Sequence, residues 1–173
     1  MNLLINKQDI EKYFQISMHR KEADVERFVR EAQLFDLKPK ICDPFFVDLT
    51  DENASTDYSK LLDGGYYIYD NKNYYFEGLK ACLCYFFHAR YVVKSHQKDT
   101  ATGLVMKDNS NSNAVSNSEK KDIQRLNQQD ANRLWEDCLL FLQRNKENYP
   151  LFSQCEQDCK EYMPKSKLKF KLF

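Results

Sequence analysis

Three histidines and six cysteines carry most of the metal and nucleophile chemistry this chain could do: His19, His88 and His96, with Cys42, Cys82, Cys84, Cys138, Cys155 and Cys159. Cys84 and His88 are four residues apart, so a helix would project both from one face, a spacing able to hold a metal. Cys155 and Cys159 repeat that spacing and could add two ligands. Structural zinc sites, however, draw tightly spaced ligand pairs from polar loops. Here the first pair lies inside the apolar run FEGLKACLCYFFHARYVVKSH, residues 76–96. Reduced, mostly buried thiols are the expectation, with no metal and no cofactor. Neither a phosphate-binding glycine loop, a His-Glu-x-x-His helix, a nucleophile elbow nor an EF-hand loop is present. With no visible set of acid, base and nucleophile, an enzyme is not expected.

The other chemically pointed segment is the C-terminal SKLKFKLF. Leu168, Phe170 and Leu172 alternate there with Lys167, Lys169 and Lys171, a period of two that means a strand. A lone terminal strand needs an edge to pair with. Three readings stand side by side. It is an edge strand of its own domain guarded by lysines. Alternatively it adds a strand to a neighbouring subunit or partner. In the third reading Lys165, Lys167, Lys169 and Lys171 touch phosphate backbones. From Lys160 onward there are five Lys against one Glu, a local balance of +4.

That local excess hides in a global zero, since 26 Lys+Arg face 26 Asp+Glu over 173 residues. A chain that coats nucleic acid would carry a basic surplus. Hydrophobic residues at 42% exclude an acidic disordered chain. Near-neutral proteins associate readily, which puts contact with other proteins first. No stretch reaches the roughly 20 apolar residues of a membrane span. The N-terminal MNLLINKQDIEKYF has no export pattern, so a cytosolic, soluble chain is expected.

The elements that must position these residues read as helices. Asn6 caps a helix running to Ile16. From His19 to Phe35, Val25, Phe28, Val29, Ala32 and Phe35 form one buried stripe. Asp43 takes the cap position of the next helix and Pro44 its first helical position. Residues 58–62 form a short helical turn stopped by Gly64-Gly65. The run YYIYDNKNYY, residues 66–75, reads as a small hairpin or an extended loop. Its tyrosines either pack on a helix or form an exposed contact surface. Residues 76–96 are apolar nearly all round, which places that helix at the centre of a bundle. Residues 97–118 are a long polar excursion with one strand-like piece, Gly103 to Lys107, and such loops are usually functional or disordered. Ser116 or Ser118 caps the longest helix, 119–146. Its expected apolar face includes Ile123, Leu126, Leu134, Cys138, Phe141 and Leu142, and Pro150 stops it.

Four stretches carry a resemblance: EAQLFDLKPKICDPFFVDL at 31–49, FEGLKACLCYFFHARYV at 76–92, DTATGLVMK at 99–107, and FLQRNKENYP at 141–150. Together they resemble the small head–tail connector proteins of tailed bacteriophages, also called adaptor, head-completion or ring proteins, as in crAss-like phages. The resemblance covers roughly residues 1–152. It implies a mainly α fold: a helical bundle with a long inserted loop or short strand, and a C-terminal extended β arm. The implied division is a connector domain over 1–152, including the loop 97–118, and an arm over 153–173. The implied function is that of a structural virion protein, a subunit of a ring that joins portal to tail and extends the DNA channel. Implied partners are further copies of the chain (a dodecamer), the portal protein, other tail or ring proteins and the DNA passing through, with no membrane. The implied location is the head–tail junction of the virion, after synthesis in the host bacterial cytoplasm. Leu104, Val105, Met106 and Lys107, with Leu168, Phe170 and Leu172, are the expected assembly contacts, because neither strand has an obvious partner in a helical domain. The competing reading is a small helical regulator or nucleic-acid-binding module that uses the Lys-rich arm.

Overall fold

The computed structural model describes residues 1–16, 21–54, 56–95, 97–100, 103–106 and 115–153, the two four-residue segments by their backbone alone. Its helices are α1 (Lys7–Glu11), α2 (Glu22–Ala32), α3 (Asp43–Leu49), α4 (Ser59–Asp63), α5 (Leu79–Lys94) and α6 (Asn117–Arg144). Its strands are β1 (Gly65–Tyr69), β2 (Lys72–Phe76), β3 (Gln97–Thr100) and β4 (Gly103–Met106). They form two separate antiparallel hairpins, β1–β2 and β3–β4. The described chain is thus mainly helical, as the sequence leads one to expect. The extended arm falls outside the described residues.

At the centre lies α5, for the reason its composition gives. It buries Leu79, Ala81, Cys82, Leu83, Cys84, Phe86, Phe87 and Ala89, residues spread round the whole helix. Burial on every side needs neighbours on every side, and α1, α2, α4 and α6 all supply them. Helix α6 runs antiparallel to it. The Cys82 thiol donates to the Ala131 carbonyl at 3.2 Å, and His88, further along α5, meets Asn127, earlier in α6. One apolar cluster results, reaching from Leu4 to Phe152. Full burial of each large side chain in it contributes about 1.5–3 kcal/mol.

Several local expectations shift. Asn6 does cap α1, through a reciprocal box with Asp9, but the helix ends at Glu11 rather than Ile16. Cys42, not Asp43, is the cap of α3, which moves Asp43 to the first helical position and Pro44 to the second. Helix α6 begins one residue after Ser116, whose hydroxyl forms a capping box with Glu119. Its end is Arg144, where the Asn145 side chain donates to the Phe141 carbonyl at 2.8 Å, so Pro150 is not its stop. At 28 residues it spans about 42 Å.

Phe35 leaves the stripe in which the sequence placed it, and is 63% exposed. The cause is a π-helical turn, Gln33–Leu37, that continues α2. One extra residue in the turn rotates the side chains after it about the helix axis. Gln33 and Leu37 swing inward while Phe35 swings out, under the Arg90 guanidinium. Gln33 then does what an apolar residue could not. Its side chain accepts from the Leu4 N–H at 2.8 Å and donates to the Asn2 carbonyl at 2.9 Å, pinning the N-terminal segment. Arg90 also grips Asp36 with two parallel hydrogen bonds, tying α5 to this turn.

The strand Gly103–Met106 is not without a partner, contrary to the expectation from its sequence. It pairs with β3, from Gln97↔Met106 to Thr100↔Gly103. Two residues lie between the strands, the shortest common hairpin connection. The partner went unseen because Gln97-Lys98-Asp99-Thr100 carries no apolar alternation.

Candidate functional site

The β1–β2 hairpin carries four exposed large apolar side chains, Tyr66, Ile68, Tyr69 and Tyr75. Tyr69 and Lys72 close it across Asp70 and Asn71, whose φ values of 49° and 55° are those of the turn that matches strand twist. Asp and Asn tolerate that backbone better than most residues. At the base, Gly64 and Gly78 lie against each other with φ of 73° and 91°. A Cβ on either would fall about 2.5 Å from backbone atoms of the opposite segment.

Side chains alternate along each strand, so the tyrosines divide between two faces. On the inner face Tyr67 stacks on Tyr74 at 5.6 Å and meets Phe141 edge-on at 5.0 Å. Phe76 stacks on Phe141 at 4.3 Å. Arg144, in the last turn of α6, completes this face. Its guanidinium lies 3.9 Å from the Tyr74 ring centre, and Nη1 donates to the Tyr67 hydroxyl at 2.8 Å. On the outer face Tyr66 is 76% exposed, Ile68 73% and Tyr75 55%. The tyrosine run is therefore divided, one face packed on α6 and the other exposed.

Beside β2 runs a groove of about 390 Å³, lined by Tyr13, Tyr75, Phe76, Glu77, Tyr85, Leu134 and Asp137. Glu77 accepts from the Tyr13 hydroxyl at 2.9 Å and from that of Tyr75. Burial first, then Glu77, pushes the Tyr13 phenol up. The hydrogen bond to Glu77 does the same for Tyr75. Both phenols therefore stay protonated donors, and the carboxylate is held at the groove's rim. Among the described residues no third strand pairs with this hairpin. The surface thus offers aromatic walls, two carboxylates and a sheet edge, which suits a partner that is extended, apolar and basic.

The thiol and imidazole pair sits elsewhere and behaves as core. Burial pushes the Cys84 and Cys138 thiols up to about 12, and Cys82 well up too. His88 stacks on Phe14 at 3.9 Å. Its Nδ1 is buried with no hydrogen-bond partner among the described residues. Burial lowers its pKa, with Asn127 pulling the other way. Among the described residues no three metal-ligating side chains converge. Cys42 departs from the expectation of reduced thiols: it is disulfide-bonded.

Of the residues singled out as assembly contacts, Leu104, Val105 and Met106 lie in β4. Lys107 lies outside the described residues, as do Leu168, Phe170, Leu172 and the lysines at 165, 167, 169 and 171. The sequence reading took the tyrosines of residues 66–75 together, without dividing them between faces, and did not single out Ile68 or Glu77. The period of two in YYIYDNKNYY was the signal for one outward face, but which face it would be depended on α6.

A protein family of unknown function, DUF6712, matches residues 37–171, a span from the turn before α3 to almost the last residue. No curated protein matches the chain, and no solved structure does. No described helix is long and apolar enough to cross a membrane.

Proposed function

We propose, from the premise that the chain belongs to the DUF6712 family of unknown function, that it is a structural virion protein: a subunit of the ring that joins a phage portal to its tail and extends the DNA channel. The observation that carries this reading is the braced hairpin. Tyr66, Ile68 and Tyr75 face solvent on a hairpin held by Arg144 and Phe141, with a sheet edge beside an acidic, aromatic groove. Exposed aromatic side chains on a rigid support are the material of protein interfaces. A subunit in a cyclic ring must present two different surfaces, one to each neighbour. The hairpin is one such surface, and the apolar, Lys-rich C-terminal segment is chemically its complement. The four stretches within residues 31–150 that resemble connector proteins supply the virion context. On this reading the protein acts by packing, not by catalysis.

Light scattering and electron microscopy of the protein mixed with purified portal test the proposal. Rings seated on the portal are the expected result. A strictly monomeric protein that binds neither portal nor virions overturns it. Binding to DNA alone, weakening steeply with salt, would instead support the nucleic-acid module.

A further inference from the structure

We infer that the groove beside β2 receives residues 165–172 of a second copy of the chain, taken up as a third strand of the β1–β2 sheet. This rests on the proposed ring assembly and names the contact that closes the ring.

Register supports it. Residues 74 and 76 share one face of β2 and residues 75 and 77 continue on the other, as the Tyr75–Glu77 hydrogen bond requires. A strand laid along β2 continues both rows. Leu168, Phe170 and Leu172 fall in the row of Tyr74 and Phe76, over the Tyr85 and Leu134 walls of the groove. Lys167, Lys169 and Lys171 then fall in the row of Tyr75 and Glu77, where an aromatic face and a carboxylate await a cation. The opposite assignment would set three lysines against the apolar walls. Charge points the same way, because the groove is lined by Glu77 and Asp137 and by no Lys or Arg.

Symmetry indicates a second copy. The described chain ends at Ser153, with Phe152 packed on Phe45 and Tyr149 on Tyr58. The 11 residues 154–164 span at most about 40 Å when fully extended, which is the upper bound on how far the tail reaches. A tail on one copy and a groove on the next form a heterologous contact that repeats around a ring. A tail folded into its own groove would satisfy the same chemistry and close nothing.

The test uses the full-length chain with the photo-crosslinker p-benzoylphenylalanine in place of Phe170. Ordinary and ¹⁵N-labelled copies are mixed before irradiation, and crosslinked peptides are assigned by mass. The expected product joins position 170 of one isotope to the segment 72–80 of the other. Asp137→Lys should cut that product about fivefold, because an attraction becomes a repulsion, while the helical circular dichroism stays unchanged. Crosslinks found only within a single isotope, crosslinks to another surface, or none at all overturn the inference. Rings that seat on the portal with crosslinks elsewhere overturn this contact and leave the connector reading. The expected crosslink in a protein that never binds portal overturns the connector reading and leaves this contact.

Discussion

Arg144→Met should loosen the tyrosine hairpin and cost about 2 kcal/mol. In the native protein the guanidinium lies 3.9 Å from the Tyr74 ring centre, 5.3 Å from Tyr69 and 6.0 Å from Tyr67. A hydrogen bond from a charged donor contributes about 1.5–3 kcal/mol, and a cation over a ring about 0.5–2 kcal/mol. Arg144 is half-buried, and the freed Tyr67 hydroxyl can reach water, so the sum falls to its lower end. Methionine keeps the aliphatic packing of the stem, which isolates the loss of the head group. A loss of about 2 kcal/mol lowers Tm by roughly 4–8 °C in a chain of this length. Urea unfolding followed by circular dichroism gives the free energy. Amide exchange shows where it is lost, and protection should fall across residues 65–76 first. Arg144→Lys should be intermediate, since it keeps the charge without the planar fork. A double-mutant cycle with Tyr74→Leu should return a coupling of about 1 kcal/mol. If Arg144→Met stays within about 0.5 kcal/mol of the native protein and exchange in the hairpin is unchanged, the idea that α6 braces the hairpin through this cation is wrong.

Gly78→Ala should destabilise by about 3 kcal/mol or more, because a φ of 91° is strained for any side chain and the new Cβ would meet the Leu62 carbonyl; a loss under about 1 kcal/mol in urea would refute the close approach of the two glycines. Phe141→Ala removes the ring shared by Tyr67, Phe76 and Tyr149 and should cost about 3–5 kcal/mol, read from the same unfolding curves, with a near-neutral result contradicting its place in the core. His88 has a folded pKa below its ordinary 6.5, so the unfolded chain binds the proton more readily. Its contribution is full above pH 6.5 and is lost as pH falls through the folded value, so the stability of the native protein relative to His88→Leu should fall as pH drops below about 6.5; a relative stability that stays constant or rises would overturn the assignment. Cys82, Cys84 and Cys138 should resist iodoacetamide in the native state and label after unfolding, as peptide mapping would show, whereas rapid native labelling would place them nearer the surface.

Much of the fold was legible because its causes are local. The stripe Val25, Phe28, Val29 and Ala32 buries as its spacing requires, and α5 is central because it is apolar on all sides. Asn6 and Ser116 cap their helices through side chains three residues away. The hairpin was half legible. Its turn and alternation lie in YYIYDNKNYY, but the choice of inner face was made by Phe141 and Arg144, some 70 residues downstream. The β3–β4 pairing escaped notice because a polar strand carries no hydrophobic signature.

By itself the sequence determined that this chain is a helical bundle built round residues 79–94, since periodicity and capping act within a few residues of backbone. It also determined the unequal spread of charge, with a body of net −4 and a basic end of net +4. Only the tertiary structure decided that Phe35 faces solvent, through a π turn that nothing in its own spacing announces. The same holds for Leu126, 57% exposed despite its place in the helical pattern of α6. Helical spacing says which residues share a face. What lies opposite that face is set by chain segments tens of residues away, and so burial, and with it the surface open to a partner, waits on the fold.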